Sequence, residues 1–317
     1  MRPDCRFHPC VRNNQLTVCR LLENQSIIVA NYPLVDTSEE SHYVIGSSNG
    51  LICLLQEYHV NDEYHEFSLR FWSPTTTSLS KKLGSFLNAF MVSILRFQFA
   101  FGYDGLSDKY KVVAFCPNEA RVFTSGNNVW KNIQSFPIDP YSYHGNRGVY
   151  LSNSLNWFTV CNKVLSGYKP WQSCSLNLDQ FLIISLDLGT ETYTLLHLPQ
   201  SSDKVSHAMP IVSILMDCLC FTHFTKGDEF VIWQMREFGV KDCWTKLFQF
   251  SYQCESNIYD RERGHSNLLP LHVIENGDTL ILFVRQDRFG KGQLIRYNRR
   301  DNRVENTFKV YRICSIY

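Results

Sequence analysis

The architecture of this chain is most visible in residues Phe230 to Phe250, FVIWQMREFGVKDCWTKLFQF. The stretch opens with an apolar run, passes through a charged break around Gly239, and returns to apolar residues from Trp244 onward. A helix is the competing interpretation, because side chains such as Met235 and Phe238 could share one face. The central glycine and the crowding of aromatic and β-branched residues disfavour a helix. The stretch therefore predicts two short strands joined by a turn, a β-hairpin.

This hairpin pattern recurs along the chain. Each repeat contains about four short β-favouring runs, and its first turn falls near one of five positions: Gly50, Asp104, Ser154, Asp217 and Gly277. Repeats of roughly 40 to 50 residues that carry four strands are typical of propeller blades. A large β-sandwich would explain the alternation but not the even repeat. We therefore expect an all-β propeller of five or six four-stranded antiparallel blades, in which Leu16 to Val35 could supply the sixth.

Length and composition describe a packed globular protein. The chain has 317 residues, of which 44% are hydrophobic and 14% aromatic. Lys and Arg number 31 against 30 acidic residues, so the net charge of +1 gives no electrostatic footprint for nucleic acid or an acidic membrane.

Residues 1–15 are polar and aperiodic, which predicts a disordered leader before a single domain at 16–317. No signal sequence is recognisable, so we expect a cytoplasmic or nuclear location.

Neither the cysteines nor the histidines point to a cofactor. Twelve cysteines are present, but several lie inside apolar runs, where a free thiol acts as a small hydrophobe. No CxxC pair occurs, and Cys218-x-Cys220 has no partner pair at zinc spacing. One loop, residues 59–66, gathers two histidines and three carboxylates, and a solvated loop is favoured there over a metal site. We expect no metal and no other cofactor.

One motif formally matches the nucleophile elbow of hydrolases. Gly46-Ser47-Ser48-Asn49-Gly50 fits G-x-S-x-G. That elbow needs a helix after the serine, whereas Leu51 to Leu55 has the pattern of a strand. Asn-Gly between two such strands is a strong hairpin signal. The motif is therefore interpreted as a β-turn, and we expect no enzymatic activity from it.

The loops are left as candidate functional elements, because the tryptophans fall in predicted strands and suit a scaffold role between blades. Two long loops, 136–147 and 162–180, are rich in Tyr, Trp, Pro and Ser. Rigid aromatic side chains on loops are suited to protein recognition. The side chains that we predict to bind a protein are Tyr141, Tyr143, His144, Arg147, Tyr168 and Trp171.

The ordered motifs of the chain resemble those of the plant F-box-associated interaction domain. They include GSSNGLICL, FWSPTTTSLSKKL, FGYDGLSDKYKVVAF, GVYLSNSLNWF, IISLDLGTETYTLLHLP, LMDCLCF and the opening hairpin, and they cover roughly Tyr43 to Val310. The resemblance implies a kelch-like β-propeller that receives substrate proteins for an SCF-type (Skp–cullin–F-box) ubiquitin ligase. In that family an F-box binds the Skp-type adaptor.

Residues 1 to 42 depart from the family pattern, because they lack the helical periodicity of an F-box. We therefore expect binding of a Skp-type adaptor and cullin only if an F-box is supplied. Two alternatives stay open. One is a propeller that binds sugars or hydrolyses a substrate at its central channel. The other is a truncated decoy, or a non-functional copy, that does not deliver its target.

Overall fold

The structure is a computed structural model that describes most of the chain. The described residues are 17–21, 27–31, 40–61, 64–89, 97–116, 118–138, 148–161, 176–201, 203–206, 210–251, 268–274, 277–285 and 292–310. Contacts between residues divide the chain into two compact units, Met1–Ser135 and Phe136–Tyr317. Residues 1–15 lie outside the described ranges, so the disordered leader and the single domain at 16–317 stay predictions.

The first unit contains a two-stranded hairpin and two larger sheets. The hairpin pairs β1 (Thr17–Leu21) with β2 (Ile27–Asn31). The first large sheet, blade 1, consists of β3 (Glu40–Ser48), β4 (Leu51–His59), β5 (Tyr64–Ser73), β6 (Ser78–Leu79) and β7 (Leu83–Ala89). The second, blade 2, consists of β8 (Gln98–Asp104), β9 (Lys109–Cys116), β10 (Glu119–Thr124) and β11 (Val129–Ile133).

The second unit contains three sheets of four strands each. Blade 3 consists of β12 (Val149–Leu151), β13 (Ser154–Val160), β14 (Phe181–Asp187) and β15 (Tyr193–His197). Blade 4 consists of β16 (Ile211–Leu215), β17 (Cys218–Phe224), β18 (Glu229–Met235) and β19 (Trp244–Ser251). Blade 5 consists of β20 (Leu268–Val273), β21 (Thr279–Arg285), β22 (Gly292–Asn298) and β23 (Arg303–Val310). A 3₁₀ turn, Leu178–Gln180, precedes β14.

Every blade is an antiparallel meander in which strands follow one another in chain order. Blade 1 differs in its outer strand, because β6 and β7 both pair with β5 and together replace one continuous fourth strand. Residues 74–77 form the turn between β5 and β6, and the outer strand of blade 1 begins at Ser78. The predicted hairpin of residues 230–250 is confirmed as the β18–β19 pair.

Tight turns connect the first two strands of the blades. In three of these turns two consecutive residues have positive φ, namely Asn49–Gly50, Ser152–Asn153 and Met216–Asp217. Two successive positive-φ residues are the mark of type I′ turns, whose twist matches that of the flanking strands. The sequence G-S-S-N-G is therefore the end of β3 and a hairpin turn into β4, as predicted, and not a strand-to-helix elbow.

Neighbouring blades within a unit pack face to face. In the first unit one core joins side chains of blades 1 and 2, including Leu69 of β5 with Phe101 of β8 and Phe123 of β10. In the second unit one core spans blades 3 and 4, and another spans blades 4 and 5. Serial four-stranded meanders that share apolar faces with their neighbours are propeller blades. The predicted fold class, an all-β kelch-like β-propeller, is confirmed.

The tryptophans occupy the strands in which they were expected: Trp72 in β5, Trp130 in β11, Trp157 in β13, Trp233 in β18 and Trp244 in β19. Trp72 and Trp157 are fully buried, and Trp244 lies in the core that joins blades 3 and 4. Among the described residues no helix has the length and apolar character that a membrane span requires.

Candidate protein-recognition site

The strand ends of each blade lie along two opposite sides of the sheet, because the strands alternate in direction. The turns after the first and third strands lie at one of these sides. The connections before the first and after the second strand lie at the other side, here called the loop edge. In blade 3 the third-strand turn is the short segment 188–192. The loop edge of the same blade carries the two long connections that lead into β12 and from β13 to β14. The two predicted recognition loops therefore attach to the same edge of one sheet.

The predicted binding side chains themselves lie outside the described residues. They are Tyr141, Tyr143, His144 and Arg147 in the first loop and Tyr168 and Trp171 in the second. Their role stays a prediction. The structure does describe the residues that anchor both loops, which are 136–138 and 148 for the first and 161 and 176–180 for the second.

An aromatic cluster anchors the first loop on blade 3. The ring of Phe136 lies 5.3 Å from that of Trp157, edge-on, and 4.7 Å from that of Tyr193. At the other end of the loop, Gly148 lies so close to the Trp157 indole that a Cβ atom there would overlap the ring. Burial, together with the charge of Glu191, raises the pKa of Tyr193, so its phenol stays neutral. Both ends of the first loop are thus fixed on buried Trp157.

Backbone hydrogen bonds close the base of the second loop. The Cys161 N–H donates to the Gln180 carbonyl at 2.9 Å. The Asn177 N–H donates to the side chain of Gln180 at 2.8 Å, at the start of the 3₁₀ turn. Leu176 and Leu178 are both buried in the core between blades 3 and 4. The segment 162–175 therefore leaves and re-enters the sheet at fixed points.

A short connecting segment reinforces this base from the side. The segment Asp203–Ser206, here called the strap, runs between blades 3 and 4. Toward blade 3, Val205 N–H donates to Leu176 O at 2.9 Å and Leu178 N–H to Asp203 O at 3.3 Å. Toward blade 4, Ser206 N–H donates to Phe224 O at 2.8 Å and Lys226 N–H to Lys204 O at 3.0 Å. The strap therefore ties the loop edges of two neighbouring blades together.

The strap is not predictable from the sequence. Its residues belong to a polar connection, Gln200 to Met209, that has neither strand nor helix periodicity. The available signal was Val205, a β-branched aliphatic residue in that connection, which is 4% exposed and packs in the core of blades 3 and 4. The strap forms two isolated β-bridges, Lys204 with Asn177 and Val205 with Thr225. One apolar residue does not predict these bridges, because their backbone partners lie far away in the sequence.

A small cluster of polar and charged side chains lies beside the strap. The Trp233 indole N–H donates to Nε2 of buried His223 at 3.3 Å. Burial lowers the pKa of His223, and Lys246 lowers it further, while Asp203 and a backbone bond at Phe224 oppose the shift. The Lys246 ammonium lies 4.0 Å from the Asp203 carboxylate and 5.2 Å from the centre of the Trp233 ring. A neutral, buried imidazole of this kind supports packing.

The described residues give little support for covalent or metal chemistry. Within the described ranges no group of three or more His, Cys, Asp or Glu is placed to hold a metal ion. The described cysteines are free thiols, and burial raises the pKa of Cys53 and of Cys220, which keeps those two thiols protonated. Residues 299–302 form the turn between β22 and β23, in which Arg299 binds Asp278 at 3.0 Å and Arg300 binds the same carboxylate.

Comparison with known proteins identifies relatives of this chain. No protein-family model matches it. An F-box/kelch-repeat protein of Arabidopsis thaliana is 27% identical over 213 residues, which cover 65% of this chain and 52% of that protein. The F-box protein CPR1 of the same plant is 28% identical over 232 residues, which cover 65% of this chain and 51% of that protein. The chain is a homologue of plant F-box proteins.

The chain spans about half the length of the curated relatives it matches. The similarity to these two F-box proteins confirms the resemblance seen in the sequence motifs. Among solved structures, the apocarotenoid oxygenase of Synechocystis is 10% identical with a TM-score of 0.47, over 93% of this chain and 70% of that one. The SapL1 lectin, in complex with α-methyl fucoside, is 10% identical with a TM-score of 0.43, over 95% of each chain.

Proposed function

We propose that this chain is the substrate-receiving propeller of an SCF-type ubiquitin ligase. The observation that carries the proposal is its homology to F-box proteins, at 27% and 28% identity over 65% of the chain. A propeller suits the task, because its blades form a rigid frame and its loops are free to vary. In this proposal the chain is non-enzymatic, and ubiquitin transfer is performed by other subunits.

The loop edge of blade 3 is the proposed contact surface for the target protein. Two long connections rich in aromatic residues attach there, and both start from fixed points. The first is held by Phe136 and Gly148 on Trp157, and the second by the strap. Fixed anchors reduce the entropy that a loop loses when it binds a partner. The residues that we propose to contact the target are Tyr141, Tyr143, His144, Arg147, Tyr168 and Trp171.

The test replaces the second recognition loop and leaves the residues that anchor it unchanged. In one variant a short glycine–serine linker replaces residues 162–175, which leaves the Cys161–Gln180 and Leu176–Val205 hydrogen bonds in place. Proximity labelling in plant cells, with the proteasome inhibited, then compares captured proteins between the intact chain, this variant and a Tyr168→Ala/Trp171→Ala double variant. We expect both variants to lose the same subset of proteins. The control is Leu106→Ser, which removes a leucine that is 80% exposed in a turn of blade 2.

A second arm tests the link to the ligase. The chain is expressed alone and fused behind an F-box, and each form is purified together with a Skp-type adaptor. We expect adaptor binding by the fusion, and ubiquitination of the captured targets only in its presence. Targets that are captured but not ubiquitinated by the fusion would favour the decoy. Turnover in a hydrolase panel, or tight binding on a glycan array, would contradict the non-enzymatic, protein-binding assignment.

We further propose that the protein acts in the cytoplasm or nucleus, where SCF-type ligases would meet their targets. The free thiols of the described cysteines agree with a reducing compartment. Imaging of the tagged chain in plant cells tests this location. Accumulation in the secretory pathway would contradict it.

A further inference from the structure

One buried histidine lies where the strap meets blade 4. His223 of β17 is 1% exposed, and its ring lies 6.1 Å from that of Phe221. Because the two residues are two positions apart in a strand, both face the core that blades 3 and 4 share. Phe224, the next residue of β17, supplies the carbonyl that accepts the N–H of Ser206 at 2.8 Å. The imidazole is therefore one residue away from a hydrogen bond that holds the strap.

Trp233 selects the protonation state of this ring. The indole N–H is a donor only, so Nε2 of His223, which lies 3.3 Å away, accepts the hydrogen bond and carries no proton. A protonated imidazole has a proton on both nitrogens, and both are then donors. Protonation of His223 would set two donors against each other at a buried position. The bond between Trp233 and His223 therefore exists only while the ring is neutral.

Among the described residues, two charged groups act on His223. Burial lowers its pKa most, Lys246 of β19 lowers it further, and Asp203 of the strap raises it. The Lys246 ammonium lies 4.0 Å from the Asp203 carboxylate and 5.2 Å from the centre of the Trp233 ring, and it donates to Gln249 at 2.7 Å. A charged His223 would repel Lys246 and attract Asp203. Protonation therefore acts on a side chain of the strap itself.

The strap connects this cluster to the second recognition loop. The carbonyl of Asp203 accepts the N–H of Leu178 at 3.3 Å, and the N–H of Val205 donates to the carbonyl of Leu176 at 2.9 Å. These two bonds fix the point at which the chain re-enters the sheet after the segment 162–175. A displacement of Asp203 would release that point.

We propose that protonation of His223 opens the strap and releases the base of the second recognition loop. This regulation rests on the proposed function, because it acts on a loop assigned to target capture. While the ring is neutral, Trp233 and Lys246 keep their positions and the strap is bonded to both blades. When the ring takes up a proton, the Trp233 bond is lost, and opening of the strap lets the charged imidazole reach water.

The direction of the pH dependence follows from linkage between proton binding and opening. The pKa of His223 in the closed state is lowered from its ordinary value, so the open state binds the proton more tightly. The closed strap has its full stability above pH of about 6.5 and loses it as the pH falls below that value. The opening constant should rise by at most about tenfold for each pH unit below 6.5.

Hydrogen exchange of the full chain measures this opening. Rates at about pH 7.5 and about pH 5.5 are each divided by the intrinsic rate at that pH. Protection of amides in 176–180 and 203–206 should fall by roughly three- to tenfold at the lower pH, whereas protection in β21 of blade 5 should change less. His223→Gln keeps an oxygen that can accept from Trp233 but does not titrate. In this variant the protection of the strap should not respond to acid.

A second measurement follows the histidine ring without a variant at that position. In a chain with isotope-labelled tryptophan, the Trp233 indole N–H resonance, assigned with Trp233→Phe, should shift or broaden below pH of about 6.5. His65→Gln in blade 1 is the matched control. It removes another partly buried histidine, which is bound to Glu57 at 2.8 Å, and should leave the acid response of the strap unchanged.

Several outcomes overturn the proposal. They are protection of the strap that is independent of pH, the same fall in His223→Gln as in the wild type, an equal fall in β21, and a Trp233 resonance that does not respond. Capture of the labelled targets by the wild type should weaken at about pH 5.5, and His223→Gln should retain it. A strap that opens without this effect on capture would refute the regulatory role. Failure to capture any target at either pH would instead count against the proposed function, because the exchange measurements need no target.

Discussion

Trp244 donates its indole N–H to the carbonyl oxygen of His197, 2.8 Å away, and so joins the outer strand of blade 4 to the outer strand of blade 3. The same relationship occurs in the first unit, where the indole N–H of Trp130 in β11 donates to the carbonyl of Gly84 in β7. In both cases a tryptophan near the start of an outer strand bonds to the outer strand of the preceding blade. These bonds join adjacent blades through a defined polar contact in addition to apolar packing.

Trp244→Phe should therefore loosen blade 4 from blade 3. The change keeps most of the aromatic ring but leaves the His197 carbonyl without this donor, which should lower the free energy of unfolding by about 1–2 kcal/mol. Urea unfolding followed by far-UV circular dichroism measures the change. Trp130→Phe should give a loss of similar size in the first unit. A neutral result for Trp244→Phe would mean that water replaces the indole N–H at no cost.

Thr77→Gly should stabilise blade 1. Thr77 has a φ of 54°, a left-handed conformation that a β-branched residue rarely adopts. Glycine adopts it without steric cost, so we expect a gain of up to about 1 kcal/mol in the free energy of unfolding. Thr75→Gly, in the same turn but without a positive φ, is the matched control and should be neutral or destabilising. The thermal midpoints of both variants decide between these outcomes.

The conformation of Thr77 also shows where prediction from sequence ended. Turns such as Asn49–Gly50 were predictable because their residues favour positive φ, and the alternating runs beside them fixed the strands. Ser73-Pro74 indicated a turn, but the Thr/Ser run after it has strand propensity and gave no sign that the turn extends to Thr77. The strap was likewise not predictable, because its backbone groups form hydrogen bonds with two different blades. The recognition loops were predictable as loops only.

Acid should weaken blade 2 through Asp104. This carboxylate is buried beside Lys111, with Nζ and Oδ2 3.1 Å apart. Burial alone would raise its pKa, but hydrogen bonds from Ser107, Lys111 and Leu106 lower it below the ordinary value. A depressed pKa contributes stability above the unfolded value of about 3.9, and that contribution is lost as the pH falls through the folded-state pKa.

Asp104→Asn tests this contribution. At pH 7 the variant should lose about 1.5–3 kcal/mol, since it removes charge-assisted hydrogen bonds and leaves Lys111 without its carboxylate. The difference from the wild type should shrink as the pH falls from about 4 toward 2.5, because the wild-type carboxyl is then also protonated. Urea unfolding across this range measures the difference. A difference that is independent of pH would contradict the assigned role of the charge.

Gly148→Ala should separate the anchoring of the first recognition loop from the stability of the sheet. A Cβ at residue 148 would overlap the Trp157 indole, which is fully buried in β13 and cannot move away freely. Overpacking of this kind costs about 1–3 kcal/mol. The strain is relieved most easily by displacing the chain before β12, which carries Tyr141 to Arg147. We therefore expect weaker target capture in proximity labelling. Gly227→Ala is the matched control, because its nearest neighbour would be 3.7 Å away. Full capture by Gly148→Ala would show that target binding does not require the loop to be held on Trp157.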